Sequence, residues 1–211
     1  MIDITYFDGN EEKVLMTVPK DTRELRLDDK ELNTLPEAIM ELNSLEILDL
    51  RDNTLTNLPE SIRRLTSLKF LILYGNELKE LLESIGQLRS LKTLNLRENH
   101  LNSLPDSIGN LASLTHLNLR GNNLKALPNS ISTLTSLEKA DFSYNNLENL
   151  PNSIGRLSSI ETIDLRGNNL TSLPESIVNL PESTGIYLSE NPDLTVSDSL
   201  REKLEKKSIF I

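Results

Sequence analysis

Hydrophobic residues recur along this chain with a period of 23 residues. Counted from the first leucine of a period, positions 1, 4, 6, 11, 14, 18 and 21 are apolar almost throughout. Leu117 and Leu119, at positions 4 and 6, alternate with polar residues, which predicts a half-buried strand. After Pro128, the apolar residues Ile131 and Leu134 follow at helical spacing, and proline is tolerated at a first helical position. Each period is therefore predicted as a strand, a turn, a short helical segment and a second turn.

An asparagine occupies position 9 of the period. It recurs as Asn53, Asn76, Asn99, Asn122, Asn145, Asn168 and Asn191. At this position the chain turns out of the strand toward the interior, so nearby backbone groups have no ladder partner. A buried amide carries two donor hydrogens and an acceptor oxygen, and it can bind such groups in its own and the adjacent repeat. We predict that replacing one of these residues leaves buried polar groups unpaired, at roughly 1–3 kcal/mol each.

A fixed period of this length is typical of a solenoid, in which each repeat stacks on its neighbours. Because every repeat runs in the same direction, the equivalent strands must lie parallel. The predicted fold class is therefore an α/β solenoid, with a parallel β-sheet on one face and short helical segments on the other. Such a fold usually presents an extended surface rather than a pocket.

The N-terminal end of the repeat region is predicted to be capped by residues 1–21. Apolar residues alternate there on either side of Asp8-Gly9-Asn10, which is a β-hairpin signal. These residues are Ile2, Ile4, Tyr6, Val14, Met16 and Val18. We expect the hairpin to cover the first open edge of the sheet, which would otherwise invite aggregation.

The C-terminal end, residues 197–211, is predicted to form a capping helix followed by a tail. Leu200 and Leu204 would cover the last core layer, and cations would occupy the last helical turn. The tail Ile209-Phe210-Ile211 either packs against the same layer or forms an exposed docking segment.

The composition narrows the function classes. A formal net charge of -10 and a pI near 4.8 argue against binding to nucleic acid, whose phosphates need a basic surface. The same charge argues against docking on anionic membranes. Apolar runs end at about five residues, so no membrane insertion is expected.

The absence of cysteine excludes disulfides and thiolate metal sites, and it favours a reducing compartment. The start, Met1-Ile-Asp-Ile-Thr, shows neither the basic segment nor the apolar run of a secretory signal. We therefore expect a cytoplasmic protein, or one secreted without a Sec signal peptide.

The run LxxLxLxxNxLxxLPxxIxxLxS, as in Leu45 to Ser67, resembles the leucine-rich repeat family. The resemblance covers about residues 22–196, as eight repeats of which the first and the last are degenerate. The 23-residue length and the LPxxIxxL half are similar to the intracellular subtype of Ras-suppressor and Scribble-like proteins. Many bacterial proteins, secreted effectors included, share this subtype. The resemblance implies a right-handed horseshoe that binds proteins on its concave sheet.

Outward strand positions 3, 5, 7 and 8 would form columns on the concave face, with adjacent strands about 4.8 Å apart. Phe70, Ile72 and Tyr74 all point outward from one strand, beside Ile47 on the previous strand. Aromatic residues are favoured in binding hot spots, so this cluster is interpreted as a binding anchor. The alternative is that a few exposed apolar side chains occur on any protein surface.

Next to this cluster, Arg97 and Arg120 share a column and are flanked by Asn95 and Asn118. Two adjacent guanidinium groups with amide donors could bind a carboxylate or a phosphate in a forked geometry. The alternative is a solvated charge ladder with neighbouring acidic residues. The complete set of predicted partner-binding residues is Ile47, Phe70, Ile72, Tyr74, Asn95, Arg97, His116, Asn118, Arg120, Asp141, Tyr144, Asp164 and Arg166.

Catalytic and metal sites are not expected. Ser143, His116 and Asp141 lie in neighbouring repeats, but strand spacing places their backbones roughly 6–9 Å apart, on an open face without an oxyanion hole. The pair Asp141 and Asp164 is too small for a calcium cage, and two isolated histidines are too few for zinc. Because a glycine-rich phosphate loop is also missing, we expect neither an enzyme nor a cofactor.

The resemblance and the concave columns together predict a monomeric, non-catalytic protein-interaction module that binds a protein or peptide partner. Two alternatives stay open. One is a structural or self-assembling repeat protein that pairs through its caps and edges, and the other is a secreted bacterial effector or recognition unit. Because the repeats and caps leave no spare residues, we expect no appended catalytic domain.

Overall fold

The computed structural model describes residues 1–7 and 12–204 with their side chains, and residues 209–210 as backbone. The strands are β1 Ile2–Phe7, β2 Lys13–Val18, β3 Glu24–Arg26, β4 Ile47–Asp49, β5 Phe70–Ile72, β6 Thr93–Asn95, β7 His116–Asn118, β8 Lys139–Asp141, β9 Thr162–Asp164, β10 Gly185–Tyr187 and β11 Ile209–Phe210. The 3-10 helices are Glu37–Glu41, Glu60–Arg64, Glu83–Gln87, Asp106–Asn110, Asn129–Thr133, Ile154–Arg156 and Glu175–Asn179, and the α-helix α1 is Asp198–Leu204.

Within the described residues, β3 to β11 form one parallel sheet of nine strands in chain order. Residues that are 23 apart lie opposite each other, as Leu48, Leu71 and Leu94 do on β4, β5 and β6. All three leucines are fully buried, while the residues that alternate with them face away from the core. The structure thus confirms the predicted α/β solenoid with one short strand per repeat.

The helical half of the repeat is also confirmed, in 3-10 form. In the second repeat, Pro59 has an extended backbone at φ −72°, and the turn ends where the Leu65 N–H donates to the Ile62 carbonyl at 3.0 Å. Segments this short are closed more readily by bonds between residues three apart than by α-helical ones. Leu82, which stands where six other repeats have proline, adopts the same extended conformation, with φ −78° and ψ 157°.

The position-9 asparagines, which we call the asparagine ladder, bind the backbone as predicted. The Asn76 Oδ1 accepts from the Leu55 N–H at 3.0 Å, and its Nδ2 donates to the carbonyls of Leu50 and Leu73 at 2.9 and 3.1 Å. The same three contacts recur, shifted by one period, at Asn53, Asn99, Asn122, Asn145, Asn168 and Asn191. Each asparagine therefore ties its own repeat to the preceding one.

The N-terminal hairpin does not extend the sheet, and its role as a cover for the first sheet edge stays a prediction. β1 and β2 pair antiparallel, but as a separate two-stranded sheet that is not continuous with β3. Ile2, Ile4 and Tyr6 are buried in the core, and β1 contacts the 3-10 helix Glu37–Glu41. The hairpin covers the end of the core because burial of its apolar face is favourable there. The turn signal Asp8-Gly9-Asn10 lies outside the described residues.

The C-terminal end closes the other side of the core. The Ser197 Oγ accepts from the Leu200 N–H at 3.2 Å near the start of α1, and Leu200 and Leu204 are buried. The backbone of Ile209–Phe210 pairs parallel with β10 as the last strand, while Ile211 lies outside the described residues. The domain boundaries at 21/22 and 196/197 stay predictions.

Candidate functional site

The predicted partner-binding residues share the sheet face that is turned away from the core, which we call the concave face. Each lies on β4 to β9 or in the turn directly after one of these strands. The parallel register places Ile47 opposite Phe70, Phe70 opposite Thr93, and Thr93 opposite His116. Residues from distant parts of the chain therefore stand in rows about 4.8 Å apart.

Ile47, Phe70, Ile72 and Tyr74 form a cluster that we call the apolar patch. Phe70 exposes 37% of its surface, and the other three side chains are half-buried. The Arg97 guanidinium lies 5.3 Å from the centroid of the Tyr74 ring, which holds the ring at the border with the polar part of the face. The patch contributes no side chain to the hydrophobic core, so its apolar surface is available to a partner.

A shallow depression of about 380 Å³ opens beside the apolar patch, over β6 to β9. Its polar lining includes Asn95, His116, Asn118, Lys139 and Asp141. Two threonines, at positions 93 and 162, also line it, and the sequence analysis did not select them. The sequence could have indicated them, because a short side chain at outward position 3 leaves room above the sheet. The concave face is thus divided into an apolar and a polar part.

Arginine stands at position 7 of four repeats, and we call these residues the arginine column. Two of them, Arg51 and Arg166, bind the aspartate two positions earlier on the same strand. The Arg166 Nε lies 2.9 Å from Asp164 Oδ1, and Arg51 binds Asp49 in the same way. These hydrogen bonds raise the pKa of both arginines. Their positive charges are therefore permanent and already neutralised within the repeat.

The two arginines that were predicted to act as a fork have different surroundings. The Arg97 Nη2 donates to Glu98 Oε1 at 2.7 Å, and this bond raises the pKa of Arg97. The Arg120 Nη1 instead donates to Ser143 Oγ at 3.2 Å, and its guanidinium lies 4.1 Å from the centroid of the Tyr144 ring. Over the described part of the chain, no carboxylate forms an ion pair with Arg120. The column therefore offers one guanidinium that has no direct ion pair in the described structure.

Position 8, directly after the arginine column, has a left-handed backbone in the described repeats. Gly75, Gly121 and Gly167 adopt this conformation without strain, whereas Tyr144 adopts it at φ 53°, which is rare for a bulky residue. A Cβ added to Gly167 would lie 2.8 Å from the Tyr144 Cδ1, so the ring rests on that glycine. Tyr144 is one of the predicted partner-binding residues, but its left-handed conformation was not predicted. The return of glycine every 46 residues was the available signal.

The serine, histidine and aspartate considered as a catalytic triad do not assemble into one. The Ser143 Oγ donates to Asp141 Oδ1 at 2.6 Å, while the His116 Nδ1 lies 2.9 Å from Thr115 Oγ1. Among the residues that the structure describes, no group of three or more His, Cys, Asp or Glu side chains is arranged to hold a metal ion. None of the helices in the described ranges is long and apolar enough to span a membrane.

Three family models match the sequence. A leucine-rich repeat region model matches residues 61–144, and two leucine-rich repeat models match residues 21–78 and 159–180. No curated protein sequence matches the chain.

Several solved structures are similar to the chain. A leucine-rich repeat protein of Leptospira interrogans is 33% identical over 89% of this chain, with a TM-score of 0.49, and the chain spans only 60% of its length. Internalin C2 of Listeria monocytogenes is 27% identical, with a TM-score of 0.72, over 90% of this chain and 79% of its own. The leucine-rich repeat ectodomain of the plant receptor kinase GASSHO1/SCHENGEN3 of Arabidopsis thaliana is 26% identical, with a TM-score of 0.64, over 90% of this chain and 26% of its own.

The 23-residue period, the parallel sheet and the asparagine ladder agree with these matches, which together extend over residues 21–144 and 159–180. The chain belongs to the leucine-rich repeat family.

Proposed function

We propose that this chain is a non-catalytic protein-interaction module that binds a protein or peptide partner on its concave face. The observation that carries the proposal is the apolar patch, which places Phe70 and Ile72 on the outward side of β5 and Tyr74 directly after it. These side chains have no part in the core of their repeat. Exposed aromatic side chains beside polar groups are the usual composition of a binding hot spot.

The two parts of the concave face would contribute differently to binding. Burial of the apolar patch would supply most of the free energy, because apolar surface removed from water is stabilising in proportion to its area. The depression beside it carries Lys139 and Asp141 in adjacent columns, together with amide side chains. Such mixed charge sets the orientation and the on-rate of a partner more than its affinity.

The similar structures support the same use of the fold. The structure of the GASSHO1/SCHENGEN3 ectodomain is that of a complex with CASPARIAN STRIP INTEGRITY FACTOR 2. A fold can carry many functions, so this likeness supports binding in general and leaves the partner to experiment. We keep the expectations of a monomer and of a cytoplasmic location, or of export without a Sec signal peptide, as part of the proposal.

Partner capture with a double variant tests the proposal. The wild-type chain and Phe70→Ala/Tyr74→Ala are immobilised, and proteins captured from the source organism are quantified by mass spectrometry. We expect partners of the wild type to bind the double variant at least about tenfold more weakly, because hot-spot truncations cost the most binding energy. Unchanged capture by the folded double variant contradicts the proposal.

Phe7→Ala is the matched control. Phe7 is 62% exposed on the hairpin, which is separate from the sheet that forms the concave face, and its truncation should leave capture unchanged. Equal losses in the control and in the double variant would indicate a general effect of exposed aromatic residues. Capture of the chain's own second copy, with a mass that rises with concentration, would instead favour the self-assembling alternative.

A further inference from the structure

We infer that Arg120 binds a single carboxylate of the partner, and that Ser143 and Tyr144 hold its guanidinium in place for this purpose. The inference rests on the proposed function and adds the chemistry of the ligand. It starts from a difference within the arginine column, where Arg120 is the member without an acidic partner in the described structure.

The sequence around each arginine explains this difference. The acid that neutralises Arg51 or Arg166 stands two residues earlier, and the acid that neutralises Arg97 follows directly as Glu98. Around Arg120 these two positions are Asn118 and Gly121. Among the four repeats with an arginine at position 7, this one alone has uncharged residues at both places that could supply an internal carboxylate.

The guanidinium of Arg120 is nevertheless held on two sides. Its Nη1 donates to Ser143 Oγ at 3.2 Å, and the ring of Tyr144 lies against it at 4.1 Å from the centroid. The Tyr144 hydroxyl reaches Glu190 Oε1 at 3.3 Å, and the ring rests on Gly167. An arginine that is already ordered loses less conformational entropy when a ligand binds.

Asn118 adds a second donor next to Arg120. Its Oδ1 accepts from the Arg120 backbone N–H at 3.0 Å, which turns its Nδ2 away from that backbone. The described residues offer no acceptor to this half-buried Nδ2. A carboxylate has two oxygens, and it can accept from a guanidinium and an amide at the same time.

The surrounding charge favours a carboxylate over a phosphate. The Ser143 Oγ that accepts from Arg120 also donates to Asp141, so one negative charge already lies within two hydrogen bonds. The chain as a whole carries a formal charge of -10. A phosphorylated side chain brings about -1.5 to -2 charges, which one guanidinium in this field does not compensate. A carboxylate brings only one.

The distance to the apolar patch sets the shape of the ligand. Tyr74 and Arg120 stand in the same column and are separated by two strand spacings, which is about 10 Å. A partner that uses both sites therefore presents an aromatic or aliphatic side chain about 10 Å from its carboxylate.

Tyr144 acts as a positioning residue in this scheme. Position 8 is left-handed in every described repeat, and Tyr144 is the one aromatic residue that occupies it. Its ring contacts Arg120 on one side and Gly167 on the other. These contacts, rather than the shared backbone conformation, distinguish Tyr144 from the other residues at this position.

The experiment uses a library of random short peptides with free carboxyl termini, selected on the wild-type chain. Selected peptides are synthesised in three forms: unchanged, with each Asp or Glu replaced by its amide, and with an amidated terminus. The ratio of affinities between the unchanged and either amide form measures the contribution of that carboxylate, and the two forms distinguish a side chain from the chain terminus. We expect a ratio of roughly ten in the wild type, as for a charge-assisted hydrogen bond.

Two variants should lower the affinity ratio between the unchanged and the amide peptide to about one, each for a different reason. Arg120→Gln removes the charge, and Asn118→Asp supplies an internal carboxylate of the kind that Asp49 gives to Arg51. Arg156→Gln is the matched control, because it removes an exposed positive charge from the 3-10 helix Ile154–Arg156. The control should keep the wild-type ratio.

Tyr144 is tested with a pair of variants. Tyr144→Gly suits the left-handed backbone, so the fold should persist while the ratio falls, because Arg120 loses its support. Tyr144→Phe keeps the ring and should restore the ratio. A purely structural role of Tyr144 would change the affinities for both peptide forms equally and leave the ratio intact.

The outcomes separate the inference from the proposed function. A wild-type ratio in folded Arg120→Gln overturns the inference, and binding that still depends on Phe70 and Tyr74 then leaves the proposed function standing. If no selected peptide loses affinity for Phe70→Ala/Tyr74→Ala, or if none is selected at all, the proposed function fails, and the inference fails with it.

Discussion

The asparagine ladder and the arginine column stand two residues apart in the four repeats that contain both, and they share one register, yet they behave in opposite ways. Asn122 makes the same three backbone hydrogen bonds as its counterparts in the other repeats. Arg120, in the same repeat, differs from every other arginine of its column in what neutralises its charge. Residues that repeat hold the solenoid together, and residues that depart from the repeat on its concave face indicate where a partner binds.

The largest expected effect breaks the ladder. Asn122→Ala leaves the buried Leu101 N–H without its acceptor, and it removes one of the two amide donors to the carbonyls of Leu96 and Leu119, which keep Asn99 and Asn145. We expect the free energy of unfolding to fall by about 3 kcal/mol or more, measured by denaturant titration.

Asn118→Ala is the matched control on the concave face. It removes a single hydrogen bond to the Arg120 backbone, so the loss should be about 1 kcal/mol or less. Equal losses of unfolding free energy in the two variants would contradict the view that the ladder stabilises the fold more than the residues of the concave face do.

A smaller effect extends the comparison to the layer of 3-10 helices. A Cβ added to Gly155 would lie 2.0 Å from the Ser176 carbonyl oxygen, so the adjacent turn must move. We expect Gly155→Ala to lower the free energy of unfolding by about 2 kcal/mol, as overpacking does elsewhere. Thermal unfolding of the variant measures this loss.

Ser132→Ala serves as the comparison for this variant. Ser132 stands at the same position of the preceding repeat, which already accommodates a side chain, and its truncation removes one hydrogen bond to Asn129. If Ser132→Ala lowers the free energy of unfolding more than Gly155→Ala does, the close contact between successive 3-10 turns does not limit stability.

The smallest effect concerns Glu46, which bridges two neighbouring repeats. Its carboxylate binds Lys69 at 2.7 Å and Arg23 at 2.6 Å, and the hydrogen bond from Lys69, followed by the charges of both cations, lowers its pKa below the usual 4.5. A lowered pKa in the folded state stabilises the fold above the unfolded value, and this stabilisation is lost as pH falls through the folded value.

Glu46→Gln should therefore be slightly less stable than the wild type near neutral pH, and the difference should vanish in acid below both pKa values. Thermal unfolding across this pH range, repeated at high salt, measures the difference. A difference that persists in acid would assign the effect to packing rather than to charge.

Much of the fold could be predicted from the residues themselves. The alternation of Leu117 and Leu119 with polar residues placed the strand, and its recurrence placed the parallel sheet. The chemistry of a buried amide was sufficient to predict the ladder. The resemblance to the Ras-suppressor and Scribble-like subtype stays a prediction.

Other features depended on contacts that no repeat pattern contains. The alternation of apolar residues predicted the hairpin, but only the structure showed that it forms a separate sheet with Ile2 and Ile4 buried in the core. The left-handed backbone at Tyr144 was hidden because glycine occupies this position only in alternate repeats. The pairing of Arg97 with Glu98 was one of two alternatives, since side-chain rotamers decide which acid an arginine reaches.

The sequence by itself determined the register, because burial of leucine every 23 residues allows only one alternation of inward and outward side chains. It thereby determined which residues share the concave face. Only the tertiary structure decided which of those side chains contact each other across repeats, because such contacts depend on distances of a few ångströms that no single repeat contains. Arg120 occupies the same place in the repeat as Arg97 and Arg166, but it contacts Ser143 and Tyr144 of the next repeat and forms no ion pair in the described structure.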